Sequence, residues 1–194
     1  MNIKSVCLLA SIVSFPALSD NSIQLEQYLI PQERYESSSL VTSRQSSIDL
    51  KFDKASQVYQ ETINGQPVGS LTIKSGYNKL TLTQMGKTPL INGISYVDDG
   101  FIVEIPKEVP DYYSVMLGRE LQMVIYKNFK AITNPKKDLV LTDCISIAFH
   151  TIDKQFSATS FCKGIGPSQI MINGRSELIL GGWNFDYPAF GTSS

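Results

Sequence analysis

The chain has 194 residues, of which 42% are hydrophobic and 18% charged, and its formal net charge at pH 7 is −1. This length is sufficient for one domain with a proper hydrophobic core. No cluster of lysine and arginine stands out, so charge gives no support for a protein that binds nucleic acid or an anionic membrane. The polar residues are mostly Ser, Thr, Asn and Gln, which favours short strands over long helices.

The first 19 residues have the features of a secretory signal peptide. Lys4 supplies a basic start, residues 5–15 form an apolar run, and the small residues Ala17 and Ser19 fit the positions before a cleavage site. Cleavage after Ser19 would leave 175 of the 194 residues and lower the net charge from −1 to −2. The apolar run is too short to span a bilayer, and an N-terminal core helix is the alternative interpretation. The sequence therefore predicts a periplasmic or secreted protein with no transmembrane segment.

An N-terminal segment, residues 20–46, is expected to precede a single β-rich domain at 47–194. Its first part places Ile23, Leu25 and Leu29 on an apolar pattern that suits either an edge strand or a short amphipathic helical turn. The rest is rich in serine and is predicted to be a polar linker or surface loop.

Short strands with alternating apolar residues fill the first half of the domain. Asn64-Gly65 is the strongest hairpin dipeptide in this part of the chain, and Asp98-Asp99-Gly100 predicts a second hairpin. The predicted strands are 47–53, 57–63, 68–74, 79–85, 94–97 and 101–105.

Residues 111–130 have two interpretations. Apolar residues recur at helical spacing from Tyr113 to Val124, which predicts one amphipathic helix. Gly118 counts against that helix by about 1 kcal/mol. The alternative is two strands that turn at Gly118-Arg119-Glu120. We expect the helix.

Residues 139–162 hold the two cysteines that remain after signal cleavage removes Cys7. A three-residue loop centred on Asp153 places Cys144 directly opposite Cys162 in an antiparallel hairpin. This register also places Ile145 opposite Phe161 and Ile147 opposite Thr159. Directly opposed cysteines need only a small adjustment to form a disulfide, which would stabilise the fold by about 3 kcal/mol. Their spacing is typical of neither a redox-active nor a zinc-binding pair.

A last hairpin is predicted around Asn173-Gly174, followed by an aromatic tail. Trp183, Phe185 and Tyr187 could simply cover an edge of the sheet. They are also candidate partner-binding residues, because Trp and Tyr dominate the hot spots of protein interfaces.

The sequence contains no convincing catalytic or cofactor-binding constellation. His150 is the only histidine, and no nucleophile-elbow motif accompanies it. Asp98 and Asp99 suit a turn as well as an acidic site, and they lack the spacing of a calcium-binding loop. We therefore expect a protein that is not an enzyme and has no cofactor and no metal site.

The expected fold is mainly β, an antiparallel sandwich or meander of short hairpins with one helix at 111–130 and one cross-strand disulfide. The expected function is non-catalytic binding of one protein partner, as an immunity or inhibitor protein would do in the periplasm. The alternative is a structural or adhesive surface subunit of fimbrial type, in which the strand around Ile23 and Leu25 is donated to a neighbour and the chain self-assembles. A secreted hydrolase that uses His150 or Asp98 and Asp99 is a third, weaker hypothesis.

Overall fold

The computed structural model describes residues 22–41, 47–86, 90–91, 100–117, 119–128, 132–134, 139–172 and 175–183. Within these ranges the only α-helix is α1, Glu26–Leu29, and a 3-10 turn follows at Glu33–Tyr35. The strands are β1 Ser22–Gln24, β2 Ser37–Val41, β3 Ser47–Asp53, β4 Val58–Ile63, β5 Gln66–Ser75, β6 Lys79–Gly86, β7 Phe101–Pro106, β8 Glu108–Pro110, β9 Tyr112–Leu117, β10 Leu121–Lys127, β11 Ile132–Asn134, β12 Leu139–Leu141, β13 Cys144–Thr151, β14 Phe156–Cys162, β15 Gly166–Ile172 and β16 Arg175–Trp183.

Twelve of these strands form one antiparallel sheet in the order β7-β6-β5-β4-β3-β2-β16-β15-β14-β13-β10-β9. Two short pairs, β1 with β8 and β11 with β12, lie outside it. The predicted mainly-β, antiparallel fold is confirmed. No helix in the described part of the chain is long and apolar enough to cross a membrane.

The sheet curls so that its two halves face each other across one core. In β3, Ile48, Leu50 and Phe52 point inward while the residues between them face outward, because side chains alternate along a strand. Phe101 of β7 packs edge-on against Phe149 of β13, with 5.4 Å between the ring centroids. These strands are far apart in the strand order, so only curling can bring them together, as is usual for sheets of this size.

The hairpin between β4 and β5 confirms the prediction based on Asn64-Gly65. Both residues have positive φ, 51° and 75°, as a type I′ turn requires. The pairing shifts by one residue after Glu61, so a bulge accommodates the longer return through Gln66 and Pro67.

The disulfide hairpin has the predicted register. Cys144 pairs with Cys162 and Ile145 with Phe161, and the cysteines are bonded. The strands end at Thr151 and resume after a tight turn in which the Lys154 amide donates to the Thr151 carbonyl.

The helix predicted at 111–130 is wrong, and the alternative pair of strands is right. β9 and β10 form an antiparallel hairpin in which Leu117 lies opposite Leu121. Tyr113, Val115 and Leu117 occupy the inner face of β9, which is period-2 alternation. The helical spacing arose because large apolar residues also occupy its outer face.

The polar segment predicted to be a linker contains β2, which lies in the sheet between β16 and β3. Leu40 is fully buried and Ser38 is nearly so. Before it, both alternatives for the N-terminus are realised, as β1 and as α1. Residues 42–46 lie outside the described ranges.

Several predictions concern residues that the structure does not describe. They are the signal peptide at 1–19, the strand at 94–97, Asp98 and Asp99, the Asn173-Gly174 turn, Phe185 and Tyr187. They remain predictions.

Candidate functional site

The predicted aromatic site is described only at its first residue. Trp183 ends β16, where its backbone lies opposite Ser38 of β2. The side chain of Trp183 and the residues after it lie outside the description. The structure therefore does not test this candidate binding patch.

The candidate catalytic histidine lies in the disulfide hairpin near its turn. His150 is opposite Phe156, and the two ring centroids are 4.8 Å apart. This is a cross-strand aromatic contact that needs no catalytic explanation. Among the described residues, no group of three or more His, Cys, Asp or Glu side chains could hold a metal ion.

The two edge strands of the sheet differ in how well they are protected. On β7, Glu104 forms an ion pair with Lys79 of the neighbouring strand at 2.6 Å, and Pro106 ends the strand. Charged residues and proline on an edge discourage the addition of another strand. β9 carries neither, since its sequence from Tyr112 to Leu117 is uncharged and contains no proline.

β9 is paired with β10 along its whole length, and no described strand pairs with its other side. Tyr112 and Met116 project from the outer face and are 63% and 52% exposed. Between them lies Ser114, whose Oγ accepts a hydrogen bond from Gln122 of β10. An uncharged edge that exposes large apolar side chains is suited to pairing with another extended segment.

The strands behind β9 are held firmly. β10 pairs with β13, which is clasped to β14 by the disulfide. Asn128 extends this connection, because its backbone amide donates to the Cys144 carbonyl at 2.8 Å. Its side chain accepts a hydrogen bond from Ser146 and donates one to Ser160. The edge strand β9 is thus attached to β10, β13 and β14, which a disulfide and hydrogen bonds hold together.

Glu61 of β4 is a second unusual feature, and it lies inside the core. Its side chain is fully buried, and neither carboxylate oxygen has a hydrogen-bond partner in the described structure. Its neighbours in the sheet are Leu50 and Gly69, which offer no side-chain partner. Burial raises the pKa of Glu61 to about 8, so the side chain is mostly neutral at pH 7.

Neither feature was predicted from the sequence. The uncharged run from Tyr112 to Leu117 was a usable signal for an exposed edge, but only once the segment was assigned as a strand. Glu61 lies two residues after Tyr59 in β4, so the side chains of both residues point to the inner face of the sheet. This alternation could have identified Glu61 as a buried acid.

A scan of family models, a search of curated proteins and a search of solved structures each found no match for this chain.

Proposed function

We propose that this chain is an exported, non-catalytic binding domain that captures one protein partner by adding an extended segment of that partner to β9. The observation that carries the proposal is the unprotected edge itself: six uncharged residues with exposed Tyr112 and Met116, at one end of a sheet whose other edge is charged. Export is supported by the signal-like N-terminus and by the disulfide, which is compatible with an oxidising compartment.

Strand addition suits this edge for two physical reasons. No described strand pairs with the outer side of β9, and its main-chain groups there offer hydrogen bonds that any extended segment can satisfy. These bonds would supply affinity whatever the sequence of that segment. Tyr112 and Met116 then provide specificity, because Tyr and Met are enriched at protein interfaces and bury large areas on contact. Charged groups, which would have to be desolvated, are absent from the strand.

The surface-subunit hypothesis depends on donation of the N-terminal strand. The structure instead buries Ile23, Leu25 and Leu29 in the core of the same chain and pairs β1 with β8. Donation would first have to withdraw these three side chains from that core, which costs several kcal/mol, and this counts against that route to assembly.

The test is affinity capture with matched variants. Tagged protein is incubated with envelope and culture-supernatant extracts of its source, and captured proteins are identified by mass spectrometry. Met116→Lys places a charge on β9, whereas the control Ile102→Lys places one on the exposed face of β7, where Ile102 is 66% exposed.

We expect one enriched partner that is captured by the parent protein and by Ile102→Lys but lost with Met116→Lys. Equal capture by all three proteins would show that β9 is not the binding site. Capture of no protein at micromolar concentration, by a bait that is monomeric in solution, would contradict the binding function.

A further inference from the structure

We propose that the segment added to β9 is β9 of a second copy of this chain, paired antiparallel about a two-fold axis at Ser114. The inference rests on the proposed function, since it names the partner of the same edge. The result is a closed dimer in which the two sheets continue into each other.

The register of this pairing follows from the alternation of side chains between the two faces of β9. Residues directly opposite each other in an antiparallel pair project from the same face of the sheet. A two-fold axis at Ser114 therefore places Tyr112 of each copy opposite Met116 of the other. An axis at Tyr113 would place Tyr112 opposite Ser114, and an axis at Val115 would place Met116 opposite Ser114. Only the Ser114 register pairs the two large exposed side chains, and it does so twice.

The paired side chains are chemically compatible. A thioether against the edge of an aromatic ring is a favourable contact, and it would cover side chains that are now 63% and 52% exposed. On the inner face the same register pairs Tyr113 with Val115, an aromatic residue with a β-branched one, which is a stabilising cross-strand combination. Because β9 is uncharged, no like charges meet.

The residues that flank β9 favour the antiparallel direction. Asp111 precedes the strand and Arg119 follows it, so antiparallel pairing brings the acid of one copy toward the base of the other at both ends. Exposed pairs of this kind are worth little, and Glu120 adjoins Arg119. We therefore expect them to influence orientation more than affinity.

The dimer also accounts for the difference between the two edges. A two-fold interface uses the same strand from both copies and leaves nothing on β9 for a third chain. The remaining edge of the twelve-stranded sheet in each copy is β7, where Glu104, its ion pair with Lys79, and Pro106 discourage further addition. The assembly therefore stops at two copies.

The first experiment measures the mass of the purified protein in solution by sedimentation over a range of concentrations. We expect a dimer for the parent protein and for Ile102→Lys. Met116→Lys should raise the dimer dissociation constant by at least about tenfold, because a lysine on an edge strand discourages pairing and each interface would then contain two of them. A parent protein that is monomeric at all concentrations would overturn the inference, and so would a dimer that Met116→Lys leaves unchanged.

A second variant tests the register. Ser114→Cys places two thiols directly opposite each other at the axis, where Cβ atoms about 4.5–5.5 Å apart allow a disulfide after a small adjustment. Mild oxidation should give a covalent dimer, whereas the matched variant Ile102→Cys should stay monomeric on a denaturing gel. A dimer in solution without the Ser114→Cys cross-link would refute this register.

The two proposals fail in different ways. A monomer whose β9 still captures a different protein, with loss of capture in Met116→Lys, would overturn the dimer and leave the proposed function standing. A monomer whose Met116→Lys variant captures the same proteins as the parent would refute both.

Discussion

Replacing Glu61 by glutamine should remove a large pH dependence of stability. In the unfolded chain the carboxyl group loses its proton near its ordinary pKa of 4.5, but in the folded chain burial raises the pKa to about 8. Between these values the unfolded state binds fewer protons than the folded state, so the free energy of unfolding falls as pH rises. The contribution of the Glu61 carboxyl group to the free energy of unfolding is fully present below pH 4.5 and is lost as pH rises through 8.

The size of the effect follows from the two pKa values. A difference of about 3.5 pH units, at about 1.4 kcal/mol per unit, corresponds to roughly 5 kcal/mol of lost stability. Small domains have a total stability of only about 5–15 kcal/mol. Deprotonation of this one buried side chain would therefore bring the parent protein close to unfolding above pH 8.

The measurement is urea unfolding of the parent and of Glu61→Gln at pH values from 4.5 to 9 and constant ionic strength. The parent protein and Glu61→Gln should have similar stability at pH 4.5, and at pH 9 Glu61→Gln should be more stable than the parent by several kcal/mol. The control is Glu104→Gln, which removes an exposed carboxylate from another strand and should leave the slope of the parent almost unchanged. If the difference between parent and Glu61→Gln were independent of pH, the carboxyl group would not be buried and unpaired.

Three further changes test the packing of the core. Gly166→Ala should be strongly destabilising in thermal unfolding, because φ is +87° and a Cβ would lie 2.3 Å from the Tyr59 hydroxyl. Tyr59→Phe removes that hydroxyl, so Gly166→Ala should cost less in this background; equal costs would show that the two residues do not interact. Replacing Cys144 and Cys162 by alanine should lower stability by about 3 kcal/mol in urea, and no change would mean that the disulfide does not constrain the unfolded chain. Leu40→Ala should cost about 3 kcal/mol, whereas a linker residue at this position would tolerate the change.

Local patterns predicted two hairpins, β13 with β14 and β4 with β5, because two signals agreed in each of them. In β13 and β14, the alternation of apolar residues and the opposition of Cys144 and Cys162 both require the same register. In β4 and β5, alternation and the Asn64-Gly65 turn agree in the same way. The register of a hairpin depends on residues that lie close together in the chain, so it can be predicted from local sequence patterns.

The order of strands in the sheet could not be predicted in this way. β2 contains three serines and pairs with β3 and β16, and its partner β16 lies far away in the sequence. Its inward positions hold only Ser38 and Leu40, so its alternation is too weak to distinguish a strand from a loop. Its place in the sheet depends on long-range burial, and the same is true of the curling that buries Glu61.

The wrong prediction of a helix at 111–130 and the exposed apolar edge at β9 have the same physical origin. A strand that covers the core on one face normally alternates apolar and polar residues, but β9 also has Tyr112 and Met116 on its solvent face. Those two residues blurred the alternation, and Met116 also fell at helical spacing from Tyr113, which made the segment resemble an apolar helical stripe. They contribute little to the fold from exposed positions, so Met116→Lys should change the stability of the monomer, measured below the dimer dissociation constant, by less than about 0.5 kcal/mol. If it lowered stability by several kcal/mol instead, Met116 would be a packing residue of the monomer, and both proposals for β9 would lose their main support.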